Sequence, residues 1–118
     1  VFSSIDILKS NSIMLKNLEG STLGIWSAHG EGKFNFKNQK VNVAAKFHYD
    51  EYPANPNGSE FSAAAVCSDD GRHLAIMPHL ERSIFPWNWA HYPSDREDEI
   101  SPWILPFQNA RNWLEENA

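Results

Sequence analysis

The sequence has a single cysteine, Cys67, so no disulfide can form within the chain. Disulfide-stapled extracellular scaffolds are thereby excluded, and the usage fits a reducing cytosol. No apolar run approaches the roughly 20 residues that a membrane-spanning helix needs, and no signal-peptide pattern opens the chain. Positive charge is also scarce: 10 Lys and Arg stand against 15 Asp and Glu, a formal net charge of -5. Nucleic-acid partners select for clustered cations, so that balance argues against one. There is no internal repeat and no low-complexity tract. The chain lacks an initiating methionine and starts in mid-pattern at Val1-Phe2, which reads as a fragment of something longer. What is present is core material. Hydrophobic residues make up 42% of 118 residues and include five tryptophans. A chain of this size buries roughly two thirds of the surface it exposes unfolded, enough for one domain or a piece of one.

Residues 12–20 read as a short helix or helical turn, with Ser12 as N-cap and Gly20 past its end. Residues 23–28 read as a buried strand that runs into His29-Gly30-Glu31-Gly32. Lys33-Phe34-Asn35-Phe36 alternates polar and apolar, as a half-buried strand does, and residues 41–49 are a further strand. Residues 52–59 carry two prolines and an Asn-Gly, so they read as a loop. Residues 61–66 and 74–77 flank the turn signal Asp69-Asp70-Gly71 and predict a hairpin whose second member is a buried strand. Residues 85–93 are aromatic and proline-rich, a packed irregular loop, and residues 94–99 are a charged connector. The chain ends in a helix capped by Ser101-Pro102, with Trp103, Phe107, Ala110 and Leu114 on one face. Pro106 would crowd the carbonyl of Pro102, so the helix either kinks there or begins nearer Leu105.

The chemistry concentrates in Met77-Pro78-His79-Leu80-Glu81-Arg82-Ser83. A histidine just past a strand end sits where open α/β sheets place their chemistry, at the carboxyl edge. Glu81, two residues on, can fix which imidazole nitrogen carries the proton, so His79 and Glu81 form a candidate catalytic pair, base and orienter. Taken alone, such a pair is more often two polar side chains in solvent. The pair also needs a nucleophile. Cys67 leads into a hairpin turn rather than a helix, and Asp69 and Asp70 beside it disfavour a thiolate, so it is read as structural. His29, Gly30 and Glu31 could let a backbone approach a ligand closely, or form an ordinary glycine-containing turn. Trp87, Trp89 and Trp103 admit sugar stacking, although packing is the commoner use of such rings. Arg82 could pair with Glu81 or serve as a plain surface cation. His48, His73 and His91 share no spacing with cysteines or carboxylates that would suggest zinc, so no metal site is read.

Three loops in order, His29-Gly30-Glu31-Gly32, Asn55-Pro56-Asn57-Gly58-Ser59 and residues 77–82, resemble loops of the class I glutamine amidotransferases. The likeness is greatest to the glutaminase domains that serve an ATP-dependent synthetase of purine biosynthesis, and it runs from about residue 12 to residue 112. Leu80 departs from the family, which usually has proline there. The resemblance implies the C-terminal half of a three-layer, flavodoxin-like α/β domain with a mixed, mostly parallel sheet and a C-terminal helix. Residues 1–118 would then be a partial domain lacking the upstream cysteine elbow. It further implies His79 and Glu81 as catalytic residues, and His29, Gly30 and Glu31 as residues of a glutamine pocket. The fragment itself would carry no cofactor, Mg-ATP being used in the synthetase domain. Its partners would be glutamine and the N-terminal and synthetase domains of the parent chain, with no nucleic acid and no membrane. The implied location is the cytoplasm. A free-standing glutaminase subunit and a non-catalytic module with a vestigial pocket are the alternatives. A half sheet would also expose an edge strand, which invites self-association.

Overall fold

The computed structural model describes residues 2–27, 41–48, 62–93 and 100–117. Five strands, β1 (Phe2–Ile7), β2 (Thr22–Trp26), β3 (Asn42–Phe47), β4 (Ala63–Cys67) and β5 (Leu74–Ile76), form a sheet in the order β2-β1-β3-β4-β5. Helix α1 (Leu105–Asn117) follows a 3-10 turn at Pro102–Ile104. The architecture is mixed α/β, and every strand pairing among the described residues is antiparallel. The parallel pairing that the resemblance implies does not occur among them.

β1 pairs with both β2 and β3, in the middle of the sheet, and the sequence reading did not assign it as a strand. Its alternation is regular once seen: Ser3, Ile5 and Ile7 are buried while Phe2, Ser4 and Asp6 are partly open. Ile5 and Ile7 join Leu23, Ile25, Phe47, Leu15, Leu18 and Trp103 in one hydrophobic cluster. β4 contributes Ala63, Ala64 and Ala65, all fully buried, so both faces of that strand are covered and small side chains let the layers close.

The hairpin forms as its turn residues foretold, with Cys67 opposite Leu74 and Ala65 opposite Ile76. Gly71 adopts φ +73°, and a Cβ there would run into the carbonyl of Asn11. The turn is thus packed beneath residues 11–13, where Ile13 N–H donates to the Gly71 carbonyl at 3.0 Å. β5, in contrast to the reading as a buried strand, is the last strand of the sheet among the described residues, with Leu74 and Ile76 half-buried and Ala75 exposed. Alanine counts as apolar in a run but loses little in water, so the run does not require burial on both faces.

Residues 13–17 make one turn and no helix. Ser12 Oγ accepts from Leu15 N–H at 3.4 Å, while Asn17 at φ +71° and Gly20 at φ +83° turn the chain away. At the other terminus, Ser101 Oγ caps Trp103 N–H, and the α-helix proper begins at Leu105. The face read from the sequence is only partly the buried one. Trp103 and Pro106 are buried and Asn109, Ala110 and Trp113 are half-buried, whereas Phe107 and Leu114 are exposed. A 3-10 turn has about three residues per turn, which stacks residue i+3 over i and shifts the phase of the helix after it.

Candidate functional site

His79 is reached in two short steps from opposite sides of the sheet. Met77 N–H donates to the Ala64 carbonyl of β4 at 2.9 Å, which extends the β5 pairing. Two residues later, His79 N–H donates to the Trp26 carbonyl of β2 at 2.8 Å, an antiparallel bridge. Two residues span at most ~7 Å of extended chain. β2 and β4 are separated in the sheet by β1 and β3, so the sheet must curl until its margins nearly meet. His79 lies at that seam, and not at the carboxyl edge of an open parallel sheet.

Beyond the bridge the chain turns tightly. Leu80–Arg82 form a 3-10 turn in which Arg82 N–H donates to the His79 carbonyl and Ser83 N–H to that of Leu80. Leu80 is buried in the core, so the residue that departs from the family's proline anchors the turn through its side chain. The turn brings Glu81 Oε1 to 2.6 Å from His79 Nδ1. Partial burial works against ionisation of Glu81, but the bond from His79, its own backbone N–H and the nearby Arg82 outweigh it and hold the carboxyl below its ordinary value. An ionised carboxylate only accepts, so Nδ1 carries the proton toward Glu81 and Nε2 is the nitrogen turned away from that bond. The imidazole is about 29% exposed and the Glu81 side chain 58%, so reactants can reach the pair.

The turn is held from behind by aromatic donors. Trp89 Nε1–H donates to the Ser83 carbonyl at 2.8 Å, and the Ser101 hydroxyl donates to the same oxygen. Trp26 Nε1–H donates to the Asn88 carbonyl, and Trp103 Nε1–H to the Gly24 carbonyl of β2 at 2.8 Å. Phe2 packs edge-on against Trp26, with centroids 5.0 Å apart, and Trp89 against Tyr92 at 4.7 Å. Gly24 leaves the room: a Cβ there would collide with the Phe2 ring and crowd Trp89. Of the three tryptophans considered for sugar stacking, Trp89 and Trp103 are packing and hydrogen-bonding groups. Trp87 is exposed, stacked on Phe85 with centroids 5.2 Å apart.

Cys67 is buried at the end of β4 and belongs to the hydrophobic cluster. His29, Gly30 and Glu31, together with the 33–36 strand and the 55–59 loop, lie outside the described residues. Sequence reasoning missed Ser83, Ser101 and Trp26 as supports of His79. Their contacts join positions up to 62 residues apart and leave no local spacing to read. Among the described residues no group of three or more His, Cys, Asp or Glu could hold a metal ion. No helix among them is long and apolar enough to cross a membrane.

With this geometry, residues 2–114 match the model of the CobB/CobQ-like glutamine amidotransferase domain, and the chain belongs to that family. Among curated proteins, the probable phosphoribosylformylglycinamidine synthase, chloroplastic/mitochondrial, of Arabidopsis thaliana is 47% identical over 131 aligned positions, covering 97% of this chain and 9% of that protein. The probable phosphoribosylformylglycinamidine synthase of Caenorhabditis elegans is 44% identical, over 95% of this chain and 11% of its own length. The Homo sapiens phosphoribosylformylglycinamidine synthase is 39% identical over 99% and 10% respectively. The chain therefore spans about a tenth of the length of these relatives. The solved structure of PurLQS from Thermotoga maritima superposes with a TM-score of 0.71 at 25% identity, covering 97% of this chain and 47% of that one.

Proposed function

We propose that the chain is the C-terminal part of the glutaminase domain of a phosphoribosylformylglycinamidine synthase of de novo purine biosynthesis. That domain hydrolyses glutamine and supplies ammonia for the ATP-dependent amidation of formylglycinamide ribonucleotide. The observation that carries the reading is the 2.6 Å contact between His79 Nδ1 and Glu81 Oε1 at the sheet seam. A cysteine outside these 118 residues, since Cys67 is committed to the core, gives its thiol proton to His79 and attacks the carboxamide carbon as thiolate. His79 delivers a proton to the departing ammonia as the carbon–nitrogen bond breaks and a thioester forms. His79 then takes a proton from water, whose oxygen displaces the thiolate and yields glutamate. Glu81 keeps the ring oriented and offsets the imidazolium charge. His29, Gly30 and Glu31 contribute to the glutamine pocket.

Mg-ATP acts in the synthetase domain of the parent, and none of these steps is routed through it. The N-terminal and synthetase domains of that parent are the partners, in the cytoplasm, although one relative's name places it in organelles. The great length of the relatives favours a single-chain parent over a free-standing subunit. By itself this chain is expected to release no glutamate from glutamine; turnover abolished by Cys67→Ser would overturn that. It is also expected to self-associate through sheet margins, read by sedimentation at several concentrations.

The test of the reading uses the full-length protein. His79→Ala should eliminate glutamine-dependent product formation while ammonium-dependent formation survives. Glu81→Gln should be milder, because an amide still bonds the ring but no longer stabilises its charge. Neutralising the orienter costs on the order of 10⁴ in the serine-protease case, and a thiolate nucleophile should lose less. Equal loss of the ammonium-dependent reaction in both variants would assign these residues to the fold instead.

A further inference from the structure

We infer that Ser83 is a positioning residue for His79, acting through a hydroxyl relay that completes the bridge to β2. This rests on the glutaminase reading. An antiparallel bonded pair exchanges two backbone hydrogen bonds. His79 and Trp26 make one of them directly, from His79 N–H to the Trp26 carbonyl at 2.8 Å. The return half passes through Ser83: its Oγ accepts from Trp26 N–H at 3.4 Å and donates to the His79 carbonyl at 3.3 Å. Each contact is long, and each alone is weak. Their placement on the two ends of one bridge is what matters, because a single oxygen couples the catalytic turn to β2.

Ser83 is itself immobilised. It is fully buried, its N–H donates to the Leu80 carbonyl at 3.0 Å, and its carbonyl accepts from Trp89 Nε1–H and from Ser101 Oγ. Ser101 is fully buried too, and its N–H donates to the Ile84 carbonyl at 2.6 Å. The relay therefore sets the height of the His79 backbone against β2. The reach of the imidazole, to Glu81 on one side and toward a reactant on the other, follows the position of that backbone. Loss of the hydroxyl leaves the Trp26 N–H and the His79 carbonyl to drift apart, and a misplacement of about 1 Å can cost two orders of magnitude in rate.

The test is a double-mutant cycle in the full-length protein. Ser83→Ala should lower kcat of the glutamine-dependent reaction roughly tenfold, with KM for glutamine and the ammonium-dependent rate unchanged. In a Glu81→Ala background, which removes the ring's hydrogen-bond partner, the same change should cost less than about twofold, because a positioning residue has little left to align once the pair is gone. Additive losses in the two backgrounds would make Ser83 a general structural group and overturn the inference. If Ser83→Ala fails to fold, Ser101→Ala loosens the Ser83 carbonyl and leaves the relay atoms present. It should show a smaller loss with the same dependence on Glu81, and additivity there overturns the inference equally. His79→Ala run alongside separates the two claims: full glutamine-dependent activity in that variant defeats the glutaminase reading itself, whatever Ser83 does.

Discussion

The turn at residues 79–89 and helix α1 are held in opposite ways. The first has no more regular structure than two 3-10 turns, Leu80–Arg82 and Pro86–Asn88, yet its backbone is tied to β2, to the segment before α1 and to two indole donors. The second is thirteen residues of regular helix whose outer side chains stand in water, Leu114 at 61% exposure and Phe107 at 40%. Among the described residues, few hydrogen bonds and ring contacts fix α1 beyond Pro106. Asn109 Nδ2 donates to the carbonyls of Met14 and Lys16, at 3.0 and 2.8 Å, and Arg72 lies over the Trp113 ring at 5.0 Å. Regularity and anchoring are thus separate properties in this chain. A helix satisfies its own backbone and can dock lightly, whereas an irregular turn must find a partner elsewhere for every buried polar group.

The comparison is broken most severely at Trp103, the fully buried ring that serves both regions at their junction. Trp103→Ala should cost about 3–5 kcal/mol, from the cavity and from the unpaired Gly24 carbonyl. Urea unfolding followed by circular dichroism reads it, and a loss under ~1 kcal/mol would show that the junction can collapse. Trp89→Phe keeps a ring over Gly24 and removes the donor to Ser83. About 1–2 kcal/mol is expected, since Ser101 still bonds the same oxygen. Leu114→Ala probes the lightly docked helix and should shift stability by no more than about 0.5 kcal/mol. An effect as large as that of Trp89→Phe would erase the distinction between the two regions.

The smallest effect is that of acid. Asp6 is held below its ordinary value: partial burial opposes ionisation, but bonds from Thr22 Oγ at 2.6 Å and His48, with Lys46 nearby, prevail. Glu81 is lowered in the same way, burial opposing and the bond from His79 prevailing. A carboxylate whose folded value is depressed contributes stability that is complete above its unfolded value and lost as pH falls through the folded one. Stability should therefore hold at neutral pH and decline below roughly pH 4, the carboxylate range. Asp6→Asn should flatten part of that decline in urea midpoints measured across the range, and an unchanged slope would remove Asp6 from the account.

Much of this was legible in the residues. β2, β3 and the β4–β5 hairpin fell where alternation and the Asp69-Asp70-Gly71 turn put them, and Ser101 caps where the Ser-Pro pair said it would. The closeness of His79 and Glu81 was legible too, because a separation of two residues inside a tight turn is a local matter. β1 was not, although Ile5 and Ile7 alternate. Three polar residues among six look like a loop until neighbours on both sides pair with them. Apart from the β4–β5 hairpin, the antiparallel pairings were not legible either, nor was the phase of α1, and for the helix the reason is the 3-10 turn that precedes it.

The sequence by itself determined the local events: which segments extend, where they turn, which residues cap, and that a carboxylate sits within reach of one histidine. Each follows from dihedral preference or a short spacing, and such forces act within a few residues. Only the tertiary structure decided that the sheet curls, that His79 closes its seam against Trp26, and that Ser83 and Ser101 stand behind it. Those contacts join residues 57 and 18 positions apart, among others. They form because buried backbone groups must be satisfied by whatever the packed core brings near, which no local pattern encodes.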